Sequence, residues 1–522
     1  MENDIIITES EQGKLITFTL IDNDLRNILS ELLDNDEVVY ETEHKIPLAR
    51  FLNKISIIKT KVETGEYRLL SLLILLNEEY ESKLKSINVM MEDNKTTFEN
   101  LNNIFSVGKQ FVTLHENMLI GSIVNKTKLI NINNIRCFRI DGNFYTSRNG
   151  KIKIIQESFI IPEFRGTKNI NSLSVRPPTD NDIKLLSERG QKFVELCNKP
   201  INYMSYKGTM FRKTQYGPFH FNANGRIMID SLGFQQNLPN YIYDESNAQE
   251  TKEILPDFYF MCWPTLLGFS FNAKQWGEIF VDNVSQIKFN DNAFNTLVLD
   301  NKTKNVIKAL VMNNENTFTD IIDGKSGGCI FLLHGSPGVG KTLTCEAVSE
   351  LLHRPLYSVG VGELGSDSHT LEKKLNSIIE LAHSWNAIIL IDECDIFMES
   401  RNTSDVVRNA MVAIFLRLLE RHQGVMFLTT NRINTMDEAF KSRISMILKY
   451  DNFDIETRMK IWKNLSNVSG IDISDNDIKQ LSEINLNGRQ IKSAIRMAQC
   501  IAKSENRQVD CKLLLEYINY LE

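Results

Sequence analysis

The chain has 522 residues, of which 42% are hydrophobic and 24% charged, and a formal net charge of -7. That apolar content supports packed cores and excludes a disordered chain, and at ~100–200 residues per domain the length predicts three or four units. The mild acidity counts against a dedicated nucleic-acid binder. The eight cysteines form no C-x-x-C pair and have no histidine cluster beside them, so neither a zinc nor a disulfide framework is expected.

The N-terminus opens with Glu2 and Asp4 rather than a basic-then-apolar signal, and the densest apolar run, Leu69 to Leu76, is far shorter than the ~18–20 residues that span a bilayer. The expectation is a soluble intracellular protein of cytoplasm or nucleus, without membrane partners. Residues 1–100 read as mostly helical, with Leu69, Leu72, Leu73 and Leu76 at helical spacing.

Residues 101–265 read as a β-rich domain, in which the period changes to two from about 101 to 175. Ile135–Ile140 predicts a strand, Asp141-Gly142 a tight turn, Asn143–Ser147 a return, and Asn149-Gly150 a second turn before Lys151–Ile155. Thr179 and Asp182 predict a capping box for a helix to about Leu196, and Asn224-Gly225 a hairpin turn. Nothing in 1–265 has catalytic spacing; binding or adaptor work and a plain packed β domain both remain open.

Residues 266–450 predict alternating strands and helices. An approach segment contains Trp276-Gly277-Glu278, Ile287-Lys288-Phe289, a helix from Asp300 to about Met312 and Gly324–Gly328. Strands follow at Cys329–Leu333, Leu356–Val359, Ala387–Ile391 and Val425–Thr429, separated by helices from Leu343, at Leu371–Ser384 and at Val406–Arg421. The fold class is therefore α/β, a doubly wound parallel sheet. Residues 451–522 are helical only, with Ile491, Ala494, Ile495, Ala498 and Ile501 on one face, and predict a small helical lid. The region ahead of the sheet reads as mixed α+β.

The stretch Gly335-Ser336-Pro337-Gly338-Val339-Gly340-Lys341-Thr342 fits G-x-x-x-x-G-K-[ST] between a strand and a helix. Its glycines let backbone N–H groups turn toward an anion, the helix N-terminus adds about half a positive charge, Lys341 supplies a point charge, and the Thr342 hydroxyl is a magnesium ligand. Asp392-Glu393 stands at the carboxyl end of an apolar strand, where open α/β sheets meet their ligands. Asp392 there is suited to holding magnesium through water, and Glu393 to taking a proton from an attacking water. Asn431, at the end of the next strand, is placed to orient water, although taken alone it reads as a turn residue. Arg443 suits stabilising the charge of phosphoryl transfer, and Arg489, after Gly488, reads either as a phosphate contact or as a helix cap.

These residues resemble the AAA+ ATPases, P-loop NTPases with a C-terminal helical lid. Gly335–Thr342 is similar to their Walker A motif, Ile388–Glu393 to Walker B, Asn431 to sensor 1, Arg443 to the arginine finger and Gly488-Arg489 to sensor 2. The likeness runs on through Asp395–Glu399, Arg408-Asn409-Ala410, Phe415–Glu420 and Phe427–Arg432. Ile161–Gly166, Gly225–Asp230 and Trp276-Gly277-Glu278 resemble the domain of unknown function that precedes a single AAA+ module in a group abundant in fungi. The resemblance implies ATP and Mg2+ as ligands, with Leu343 completing the nucleotide contacts of Gly335–Thr342, Asp392 and Arg489. It also places adenine near Ile287 and Phe289, and implies a homo-oligomeric ring, usually a hexamer, that remodels a macromolecular client, protein ahead of nucleic acid. The alternatives are a nucleic-acid-associated ATPase and an assembly switch with little turnover. Gly360–Gly365 departs from the aromatic pore loop of many such unfoldases, which argues against threading by aromatic grip.

Overall fold

The computed structural model describes residues 5–10, 13–18, 22–33, 45–48, 51, 54–241, 248–313, 328–365, 367–398, 406–432, 436–518 and 520. Among them the chain divides into two compact units, Met1–Ser285 and Gln286–Glu522. No helix of the described residues is long and apolar enough to cross a membrane.

The first unit starts on a three-stranded sheet built from Ile5–Ser10, Gly13–Phe18 and Ile46–Pro47, so the first hundred residues are not helical throughout. Helices Asn23–Leu32, Ile55–Glu63 and Leu70–Glu92 accompany it, and Leu69, Leu72 and Leu76 lie in one core with Ile16, Leu29 and Phe51. A meander follows in Gln110–His115, Met118–Ile132, Ile135–Arg148 and Lys151–Pro162.

Asp141-Gly142 makes no turn: both residues sit inside the 14-residue strand Ile135–Arg148, paired with Ser158 and Glu157. Gly142 is there for space, because a Cβ would come within 2.7 Å of the Phe111 ring. The turn at Asn149-Gly150 is real, with φ of 53° and 72°, as a two-residue hairpin of twisted strands requires. Asn224-Gly225 joins strands that do not pair with each other: Gly217–Asn222 pairs with Thr209–Thr214, whereas Gly225–Asp230 pairs with Ile201–Tyr206. The capping box on helix Asp180–Cys197 forms as its spacing predicts, between Thr179 and Asp182.

The expected boundary at 266 also moves. Thr265–Ser270 and Gln275–Phe280 are interior strands of a seven-stranded sheet in the first unit, so Trp276-Gly277-Glu278 belongs there. Glu278 is only 3% exposed. Thr265 Oγ1 (2.6 Å) and the Tyr241 hydroxyl (3.0 Å) donate to its carboxylate, which satisfies a buried charge.

The second unit is built on five parallel strands: β1 (Cys329–Gly335), β2 (Leu356–Gly360), β3 (Ile388–Asp392), β4 (Val425–Thr430) and β5 (Met446–Tyr450). Their order across the sheet is β2-β3-β4-β1-β5. The central strands are near-continuous apolar runs, as a sheet covered on both faces demands. Ile388 to Ile391 and Val425 to Leu428 are all at most 2% exposed. The order puts β4 between β3 and β1, with Ile391 opposite Leu428 and His334 opposite Thr430. The three segments that carry the predicted site residues therefore leave neighbouring carboxyl ends of one sheet, at the crevice where such sheets take ligands.

Four helices follow, Ile455–Ser469, Asp475–Glu483, Gly488–Ser504 and Cys511–Ile518. Ile491, Ala494, Ile495 and Ala498 close around Trp462, Leu481 and Leu514 in a core of their own, with Ile501 at its margin.

Candidate functional site

The loop after β1 is shaped by three glycines with positive φ: Gly335 at 152°, Gly338 at 80° and Gly340 at 101°. Gly340 is the left-handed residue from which helix Lys341–Leu352 starts, a conformation that costs an L-residue roughly 1–2 kcal/mol. Gly335 is also pressed against the end of β5, since a Cβ there would lie 2.2 Å from the Tyr450 carbonyl oxygen. Gly338 faces the lid helices: its carbonyl accepts from the Gly488 N–H at 3.0 Å, and a Cβ would meet the Asn487 side chain at 2.7 Å. Val339 anchors the loop by burying its side chain in the sheet core. Leu343, on the first helical turn, is 56% exposed.

Lys341 closes the site. Its Nζ donates to the Gly335 carbonyl (2.6 Å), the Ser336 carbonyl (3.0 Å) and Asn431 Oδ1 (2.8 Å). Burial pulls the pKa of this ammonium below the usual lysine range, and the carboxylates of Asp392 and Asp395 oppose the shift. Glu393 and Arg489 stand within electrostatic reach of the same ammonium.

The acid pair is held by β4. Thr429 Oγ1 donates to Asp392 Oδ1 and accepts from the Glu393 N–H at 2.9 Å. Glu393 has φ of 57°, a left-handed backbone for a residue with a Cβ, of the kind that gathers at functional sites. One residue on, the Cys394 N–H bonds the Thr429 carbonyl at 2.9 Å. Asp395 then accepts from Thr430 Oγ1 and from the Asn431 N–H (3.1 Å). The end of β3 and the end of β4 are thus bolted together by side chains, and Asn431 is set from behind by Asp395.

The motif pattern gives Asp395 and Thr429 no role. It also missed β5, whose terminal Tyr450 places its hydroxyl 2.7 Å from Thr344 Oγ1. The available signal for Thr429 and Thr430 was two hydroxyls directly ahead of Asn431, at the end of an otherwise apolar strand.

An open cleft of about 600 Å³ runs past His334, Gly335, Ser336, Pro337, Asn431, Arg432 and Tyr450. The cleft's lining includes the Asn431 amide, which accepts from Lys341 Nζ at 2.8 Å, so the ammonium lies directly behind it, and with the start of helix Lys341–Leu352 these groups suit a polyanion. No group of three or more His, Cys, Asp or Glu side chains able to hold a metal exists among the described residues.

Two predicted residues lie outside this cluster. Phe289 stacks on His353, centroids 4.1 Å apart, and His353 caps the far end of the 12-residue helix, about 18 Å from the phosphate loop at 1.5 Å per residue. The expected placement of adenine against Phe289 is not supported by that position. Arg443 is held by Glu420, with its Nε donating at 2.9 Å. Arg489 is not the helix cap. Asn487 fills that role, in a capping box with Gln490, which leaves the Arg489 side chain on the exposed side of the first turn. After β2, Val361–Leu364 forms one helical turn, with Glu363 accepting from the Gly360 N–H at 3.3 Å.

A family model described as "ATPase family associated with various cellular activities (AAA)" matches residues 331–452. A second, "Domain of unknown function (DUF7025)", matches 86–180. An ATPase family gene 2 protein of Schizosaccharomyces pombe is 31% identical over 163 residues, covering 29% of this chain and 20% of its own length. A 26S proteasome regulatory subunit homolog of Methanothermobacter marburgensis is 27% identical over 174 residues, covering 31% of this chain and 46% of its own. The chain thus spans less than half of either relative. Among solved structures, the FIGL-1 AAA domain in complex with ADP matches with a TM-score of 0.35 and 20% identity, covering 44% of this chain and 83% of that one.

Proposed function

Through residues 331–452 the chain belongs to the AAA family of ATPases, with a domain of unknown function upstream, and from that premise we propose that it binds and hydrolyses ATP to remodel a macromolecular client. The observation that carries this reading is Lys341 Nζ, which donates to the Gly335 and Ser336 carbonyls and to Asn431 Oδ1 while the charges of Asp392, Glu393 and Arg489 act on the same nearly buried ammonium.

Gly335–Leu343 cradles the triphosphate, and Lys341 answers its outer charge. Thr342 and Asp392 would hold magnesium, which when bound neutralises the phosphates and polarises them toward attack. Glu393 takes the proton of the attacking water, and Asn431, fixed by Asp395, orients that water. Arg489 brings the lid helices to the same charge. Arg443 acts on the nucleotide of a neighbouring subunit, so the working form is a homo-oligomeric ring, a hexamer in this reading. The client is a protein in this reading; the Gly360–Gly365 segment has no aromatic ring to grip a threaded chain.

Glu393→Gln tests the assignment. The variant is expected to bind ATP as the parent does, to lose turnover by at least 100-fold, and to retain client and ring long enough for mass measurement. Turnover within a few-fold of the parent would remove Glu393 as the base and with it the reading of this cleft as the hydrolytic site.

A further inference from the structure

We propose that Glu420 restrains Arg443 within its own chain and thereby makes hydrolysis depend on a neighbouring subunit. The inference rests on the trans role of Arg443 given above and adds the group that sets the resting position of that arginine.

Glu420 is in the last turn of helix Val406–Arg421. Arg443 follows the one-turn helix Glu438–Lys441, and its backbone N–H is tied to the Phe440 carbonyl at 3.0 Å. A single carboxylate oxygen of Glu420 accepts from both Nε (2.9 Å) and Nη2 of the guanidinium. Nη1 turns the other way, to the Ala439 carbonyl at 2.5 Å and Ser442 Oγ at 3.3 Å. All three nitrogens are therefore engaged inside the chain.

The hold is directional but weak. Glu420 is 52% exposed and Arg443 26%, and ion pairs open to water lose most of their Coulomb attraction to solvent. A guanidinium prefers phosphate oxygens when they are presented in good geometry. The pair is thus strong enough to keep Arg443 folded against its own helix when no neighbour is docked, and weak enough to yield to a triphosphate at a subunit boundary. Assembly has to break it, and that raises the subunit concentration at which hydrolysis starts.

The test is ATPase rate per subunit against protein concentration, on the full chain, for the parent, Glu420→Gln, Arg443→Ala and the double variant. Glu420→Gln keeps the side-chain volume and removes the charge. It is expected to lower the concentration of half-maximal activity by about threefold to tenfold, the two curves converging at saturation, and to have no effect once Arg443 is alanine. Glu420→Asp, which shortens the reach but keeps the charge, separates a charge effect from a folding defect, and a circular dichroism melt checks each variant. A Glu420→Gln curve that overlays the parent, or activity that Glu420→Gln restores to the Arg443→Ala chain, overturns the proposal. If Arg443→Ala alone hydrolyses at the parent rate, the trans role itself fails. If Arg443→Ala is inactive and Glu420→Gln is indistinguishable from the parent, only the restraint fails.

Discussion

Lys341 Nζ reaches Asn431 Oδ1 at 2.8 Å, so the residue proposed to meet phosphate and the residue proposed to orient water are hydrogen-bonded across the end of one sheet. Each member of that pair has a separable consequence. Lys341→Ala removes the ammonium on which the site converges, and charge-assisted hydrogen bonds of this kind contribute about 1.5–3 kcal/mol. Nucleotide affinity should fall by one to two orders of magnitude in an equilibrium titration with a fluorescent ATP analogue. Asn431→Ala should bind the analogue within about threefold of the parent and lose roughly 10–100-fold in turnover, because general positioning effects act on the chemical step. Equal losses of affinity in the two variants would show that the pair acts as one binding unit.

Thr429 joins the acid pair through one oxygen, donating to Asp392 and accepting from the Glu393 N–H. Thr429→Val keeps the shape and removes both bonds, which leaves a backbone donor without its partner. Turnover should drop about tenfold with little change in nucleotide affinity, and Thr429→Ser should recover most of it. A structural role alone predicts a lower melting temperature in the valine variant and unchanged turnover at 20 °C. Stability cost is expected to be about 1–3 kcal/mol.

Gly335 is confined twice, by a φ of 152° and by the Tyr450 carbonyl 2.2 Å from where a Cβ would stand. Gly335→Ala should push β5 away from β1 where Gly335 pairs with Tyr450. The expected outcome is a destabilised second unit, by about 2–4 kcal/mol on the scale of overpacked or strained sites. It should appear as early loss of amide protection in Met446–Tyr450 by hydrogen exchange. Protection equal to the parent would mean that the strand accommodates the methyl group.

What was legible in the sequence follows from what each element depends on. The strands β1, β3 and β4 are continuous apolar runs because both of their faces are covered, and the helix Ser368–Ser384 carries its own apolar face through Leu371 and Leu375; both signals are local. Strand β5 was not visible because it is an edge, with Ile447 42% exposed and Lys449 facing water, so its apolar run is only Met446-Ile447-Leu448. Asp141-Gly142 misled because Asx-Gly is a turn signal unless a neighbour needs the space of a missing side chain, and Phe111 is 31 positions away from Gly142. The role of Thr429 was hidden for the same reason: its partners are on another strand, 36 and 37 residues earlier. Phe289 was drawn toward the site by resemblance alone, and its actual partner, His353, lies at the opposite end of the helix from the loop.

His422 follows helix Val406–Arg421 at the amino end of β4 and is 3% exposed. Burial pushes its pKa down to about 4; the Val425 backbone opposes this, and the nearby Arg354 guanidinium adds to it. The folded chain therefore keeps this ring neutral while the unfolded chain takes up a proton near pH 6.5. Between those values the unfolded state binds more protons, so stability rises with pH across the window and is lost as pH falls from about 6.5 toward 4. Two denaturation midpoints, at pH 7.5 and pH 5, for the parent and for His422→Gln isolate the effect, because the other titrating groups cancel in the difference. The parent should lose about 2 kcal/mol relative to the variant on going to pH 5, from the linkage of one proton over that interval. A gap between parent and variant that stays the same at both pH values would mean that the ring is protonated, or solvated, in the folded chain.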